Sequence, residues 1–147
     1  MERNVSNKDD RHLDDKIIRI KARFALLYVL GEMGAYDREI KAQDVYKPAA
    51  RLLGLTEREQ TITIQEKNGV GEDRPWWPNA IQWARDKLNK IGALAPSTHG
   101  YWRLSERGLK QYQQLLDQFK NSDMDFEHFV EAFVSQRREA RRSVESR

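Results

Sequence analysis

The run "WPNAIQWARDKLNKIGALAPSTHGYWRLSERG", residues 77–108, decides how this chain folds. Turned at about 100° per residue, Trp77, Ile81, Ala84, Leu88 and Ile91 fall on one face with Ala80 beside them. Asn79, Gln82, Asp86, Asn89 and Lys90 collect opposite, with Trp83 and Arg85 on the flanks. The spacing predicts a helix from Pro78 or Asn79 to Ile91, stopped by Gly92. Two short apolar runs follow, Ala93 to Ala95 and Tyr101 to Leu104, joined by "PSTHG", whose residues suit a hairpin tip. Ser105 then caps a further helix reaching about Phe119.

Upstream, Ile17, Ile20, Phe24, Leu27, Val29 and Leu30 recur at helical spacing, predicting a long helix from Asp14 to Met33 that stops near Gly31 to Gly34. A second helix is expected within "DREIKAQDVYKPAARLLGL", with Val45, Ala49, Leu52 and Leu53 inward, Pro48 in or near its first turn and Gly54 as its C-terminal cap. Thr56 and Glu59 have the form of a capping box. "TITIQ" alternates and reads as a brief strand with Ile62 and Ile64 inward, and "EKNGVGEDRP" as a loop. Residues 1–13 lack apolar periodicity and read as a disordered lead, 14–120 as the domain, and 121–147 as a C-terminal helix with a basic tail. The stripe Phe126, Phe129, Val130, Phe133 and Val134 needs an apolar partner, either its own domain or a second copy in a homodimer.

Composition narrows the function. The chain has 147 residues, room for one ordinary domain, and no cysteine, so neither disulfides nor thiolate metal sites are available. His12, His99 and His128 are too scattered for a usual zinc cluster, and no cofactor is expected. No apolar run is long enough to span a bilayer and no signal-like segment leads the chain, so a cytoplasmic protein without a membrane partner is expected. The net charge of +3 is unevenly placed: residues 74–110 hold 7 Lys+Arg against 2 Asp+Glu, while each flanking part is net −1. A local basic excess suits a polyanion through counterion release, although a solvated basic face has the same composition.

Helix, helix, short strand, helix, hairpin, helix is the order of a winged helix-turn-helix. The expected fold is mainly α with a small β hairpin, an α+β class, plus an extra C-terminal helix. At this point a resemblance becomes specific. "LLGLTEREQ" (52–60), "NAIQWARDKLNKIGAL" (79–94) and "GYWRLSERG" (100–108) resemble the N-terminal winged-helix domain of the Mrr family of restriction proteins. Trp83, Ala84, Leu88, Gly92, Gly100, Trp102, Leu104 and Gly108 stand in the family's places over about residues 15–112. The resemblance implies a DNA-recognition module, and one that senses modified bases is within its reach. The family's cutting is done by a separate nuclease domain, which "QEK" (65–67) and residues 113–147 are too short to supply. The expected partners are therefore double-stranded DNA, a nuclease domain or subunit, and a second copy through the C-terminal helix.

Trp77 and Trp102 are expected in the core, and Trp83 in an edge packing role. Trp76 either covers a core edge or reaches toward a phosphate or base. The expected DNA-binding set is Arg74, Trp76, Asn79, Gln82, Arg85, Asn89 and Lys90 from the helix region, with Ser97, Thr98, His99, Tyr101 and Arg103 from the wing. Amides pair bidentately with adenine, and arginine and lysine with phosphate or guanine. Asp86 would repel phosphate unless it accepts from cytosine or holds Arg85 or Lys90. The competing reading is a protein-docking winged helix or a dimeric regulator. An enzyme is the least supported class, since no catalytic constellation or phosphate-binding glycine loop is present.

Overall fold

The structure, a computed structural model, describes residues 15–145, with side chains described for residues 17–136. The expected disordered lead, residues 1–13, lies outside the described residues, as do the side chains of the basic tail. The elements run α1 (Asp15–Glu32), β1 (Ile40–Lys41), α2 (Gln43–Leu52), α3 (Glu57–Thr61), α4 (Ile64–Asn68), α5 (Trp76–Lys90), β2 (Tyr101–Trp102), α6 (Glu106–Ser122) and α7 (Phe126–Glu145). The fold is mainly helical with a small antiparallel sheet, as the pattern predicts.

Helix α1 is central, packing most extensively on α5 and also on α2, α6 and α7. Its small and branched residues, Ala22, Ala25, Leu26 and Leu30, are fully buried and admit the close approach. From α5 come Trp77, Ile81, Ala84 and Leu88, the stripe expected from the sequence. The Trp77 indole N–H donates to the Tyr46 carbonyl at 2.7 Å, so its polar edge is satisfied inside the core.

Three helices end in the same way. After α5, Gly92 adopts φ +77°, its N–H donates to Asn89 O, and the Ala93 N–H donates to Leu88 O at 2.8 Å. Gly34 after α1 and Gly54 after α2 repeat these bonds, with Ala35 and Leu55 in the place of Ala93. Each residue that follows the glycine is buried, so a single left-handed turn ends the helix and feeds the core.

Several elements differ from expectation. "TITIQ" is not a strand, because Thr63 and Glu66 form a second capping box behind that of Thr56 and Glu59. Local side-chain bonds to orphan N–H groups thus override the apolar alternation, leaving Thr63 a single bridge to Pro75. The strand is instead Ile40–Lys41, ahead of α2 and inside the stretch read as helical, paired antiparallel with Trp102 and Tyr101. The hairpin persists as a bridge between Leu94 and Leu104 and an Ala95 N–H bond to Arg103 O at 2.9 Å. Pro48 lies in the interior of α2, not its first turn, and Leu52 is only half-buried.

Helix α5 starts earlier than read, at Trp76 behind an N-cap Pro75, so both tryptophans belong to its first turn. Ile91, read as core, is 39% exposed because it is the C-cap residue, where the helix unwinds toward Gly92. Trp83, expected to pack at the core edge, is 47% exposed, with the Arg19 guanidinium 4.0 Å above its ring.

The C-terminal stripe packs within the chain. Phe126, Phe129 and Val130 are buried, Phe133 meets Phe24 edge-on at 5.4 Å, and Phe119 meets Phe126 at 5.3 Å. Lys21, only 1% exposed on α1, donates to Glu127 at 3.1 Å and Glu131 at 2.7 Å on α7. A buried ammonium needs such partners, and this pairing fixes how α7 seats on α1. Of the two alternatives for the stripe, its own domain covers Phe126, Phe129 and Val130, while Phe133 and Val134 remain half-buried. At the start of α7, Asp125 accepts from the His128 N–H at 2.9 Å. That bond and the His128 ring hold its carboxyl below the usual carboxylate range.

Replacing Trp77 or Trp102 by alanine should cost about 3 to 5 kcal/mol, read by denaturant melts. Trp83→Ala, which removes an exposed ring and one cation–π contact, should cost no more than about 1 kcal/mol. Equal losses at all three positions would contradict the burial pattern. At Gly108 an added Cβ would lie 2.0 Å from the Ala93 carbonyl oxygen. Gly108→Ala should therefore destabilise by about 1 to 3 kcal/mol, although alanine favours helices more than glycine does, and a stabilised variant would show that α6 can shift freely.

Candidate nucleic-acid interface

Helix α5 and the wing, residues 94–104, enclose a groove of about 340 Å³. Arg85 and Asn89 reach it from the helix. Ser97, Thr98, His99, Tyr101 and Arg103 reach it from the wing. Seven residues expected from the sequence to bind DNA are therefore brought together by the fold. Asn79, Gln82 and Lys90 lie outside the groove on the same helix, and Arg74 stands apart in the loop before it.

The helix delivers Arg85 and Asn89 to one flank because they are four residues apart and thus one turn from each other. Arg85 donates to Asp86 at 3.1 Å, an ion pair whose side chains are 40% and 62% exposed. Screening leaves such a pair little energetic weight, but it aims the guanidinium. Asp86 therefore holds Arg85, one of the roles open to it from the sequence. The Nε atoms of Arg85 and Arg103 are both buried without a hydrogen-bond partner. Two guanidinium groups, one from each wall of the groove, suit an anionic acceptor.

The wing is shaped from a distance. Glu39, just before β1, accepts from the Thr98 N–H at 2.8 Å and from its hydroxyl at 3.2 Å. Ser97 donates its hydroxyl to the Tyr101 carbonyl at 2.8 Å. The hydroxyls of Ser97 and Thr98 thus hold the wing tip, where His99 and Tyr101 are also exposed. Glu39 was not legible as a site residue, because it acts across 59 positions of sequence. Tyr46 is a second such residue: its hydroxyl accepts from the Gln82 amide at 3.1 Å, tying the exposed face of α5 to α2.

Trp76 must be removed from the binding set. It is 4% exposed, its indole N–H donates to the Glu59 carbonyl, and its ring packs edge-on against Trp77. The two capping-box helices α3 and α4 cover it, with Lys67 Nζ 5.2 Å from the ring centre. The first turn of α5 is therefore a core element, and its polar surface starts only at Asn79. Arg74 is exposed and paired with Glu72 at 2.7 Å, two residues away.

The residues in the resembling motif have structural tasks. Gly100 adopts φ +82° and its carbonyl accepts from the Ala42 N–H, while Trp102 pairs with Ile40. Leu104 bridges Leu94, and its N–H donates to Ala35 O. Ser105 caps α6 by accepting from the Gly108 N–H at 3.0 Å. Among the described residues no helix is long and apolar enough to cross a membrane.

No curated protein and no solved structure matches the chain. The model of the Mrr N-terminal domain matches residues 22–114, a span from the first turns of α1 into α6 that contains α5, the wing and the groove. With well over half of its length accounted for in this way, the chain belongs to the Mrr N-terminal domain family.

Proposed function

We propose that this chain is a non-catalytic winged-helix module that reads duplex DNA for a restriction system, with any cleavage supplied by a separate nuclease domain or subunit. The observation that carries the reading is the groove in which α5 and the wing converge Arg85, Asn89, His99, Tyr101 and Arg103. It falls within residues 74–110, the one part of the chain with a basic excess. The strand before α2, the helix α5 and the wing after it follow the order of a winged helix, in which the third main helix enters the major groove. Membership in the Mrr N-terminal domain family supports the assignment to a restriction system.

In this arrangement Asn89 and Gln82 present amides to base edges, while Arg85, Arg103 and Lys90 meet phosphates. Base reading shifts from the start of α5 to its middle, since Trp76 and Trp77 bury the first turn. A groove of this size beside Tyr101 and His99 also suits discrimination between plain and modified bases, and a nucleoid location follows from DNA binding.

Anisotropy titrations of labelled duplexes at several salt concentrations test this directly. Affinity should fall steeply with salt, and Arg85→Ala, Arg103→Ala and Lys90→Ala should each reduce the slope of log affinity against log salt by about one unit. Melting curves should stay near wild type. Salt-independent binding, or three unchanged slopes, would overturn the interface. Matched duplexes carrying methylated adenine, methylated cytosine or hydroxymethylated cytosine then ask whether the base contacts register modification.

A further inference from the structure

On another side of α5, its C-terminal end closes a second groove, of about 620 Å³, together with α1, α6 and α7. It shares no lining residue with the groove beside the wing. Its floor is apolar, built from Phe24, Leu27, Leu88, Leu115 and Phe133, of which both phenylalanines are only half-buried. Ile91, turned out of the core, lines it as well.

The polar lining is one-sided. Arg23 and Arg107 contribute two guanidinium groups and Gln111, Gln114 and Gln118 three amides, with no carboxylate among the described lining residues. The described lining is thus cationic and amide-bearing over an apolar floor. Arg107 spends one N–H on the Ile91 carbonyl at 2.9 Å and has further donors. The Gln111 side-chain oxygen is buried without a hydrogen-bond partner, an acceptor suited to a main-chain N–H.

We infer that this groove docks a segment of a partner protein that is acidic and carries an apolar anchor. The anchor, a leucine or aromatic side chain, fills the space over Phe24 and Phe133. Flanking carboxylates pair with Arg23 and Arg107, and a peptide N–H satisfies Gln111. Duplex DNA fits poorly, because a phosphate-faced cylinder buries no apolar floor. The inference stands apart from the DNA reading, since the two grooves have different walls.

The test pans displayed random peptides of about twelve residues on the full chain, then measures a synthetic representative of the enriched sequences. Enriched sequences should combine Asp or Glu with Leu, Phe or Trp. Arg23→Glu and Gln114→Glu should each weaken the representative by about tenfold at an unchanged melting temperature. Gln114 is exposed, so its replacement leaves the packing intact and must weaken binding even if Arg23→Glu destabilises the fold. Duplex DNA should not displace the peptide. Absence of enrichment, enrichment without acidic residues, or equal affinity of Gln114→Glu would overturn the inference. Displacement by single-stranded oligonucleotide would reassign the groove to nucleic acid and overturn it equally.

Discussion

The backbone of Ala93 is the junction on which the functional half of the molecule depends. Its N–H closes α5 on the Leu88 carbonyl, and its own carbonyl accepts from the Ser105 N–H at 2.9 Å. Gly108, in the first turn of α6, packs so closely on that carbonyl that no Cβ would fit. The end of α5, both ends of the wing and the start of α6 are thus tied within one small region. Both ends of the wing are thereby held beside α5, next to the groove that Arg85 and Arg103 line. Preorganisation of this kind spares a binding site the entropy of ordering its loop in each encounter.

Helix α5 carries three environments around one axis. Its buried stripe holds the domain to α1. One flank, with Arg85 and Asn89, faces the wing and its Arg103. The opposite flank bears Trp83 under Arg19, and the C-terminal end opens into the arginine-lined apolar groove. Because successive residues turn by about 100°, a sequence of fifteen residues can serve a core and two surfaces without conflict. The cost is borne at the N-terminus, where two tryptophans in the first turn stop that end from acting as a reading head.

The residues that carry the family resemblance and those that fit DNA are largely different. Gly92, Gly100, Trp102, Leu104 and Gly108 close helices, shape the wing or permit contact between backbones. Their shared task is to build the platform. Arg85, Asn89, His99 and Tyr101 stand on that platform, Arg85 half-buried and the other three exposed.

The helices were legible in the sequence wherever apolar spacing ran for three turns or more, as in α1, α5 and α7, and wherever a glycine followed the last apolar residue. The basic segment and seven residues of the groove were legible too, since charge and turn chemistry are local properties. The strand Ile40–Lys41 was not, because two residues have no period and their pairing with Trp102 and Tyr101 is set across about sixty positions. Nor were Glu39 and Tyr46, whose roles exist only once the wing and α5 are folded against them. "TITIQ" was misread since alternation and a capping box occupy the same residues, and local hydrogen bonds left only one bridge, Thr63 to Pro75, of the expected strand. Trp76, Trp83 and Ile91 were decided by tertiary structure alone: a helical wheel gives direction around an axis, whereas burial depends on what packs there. Two capping-box helices cover Trp76, α1 sets the Arg19 guanidinium over an exposed Trp83, and the turn at Gly92 carries Ile91 out to solvent.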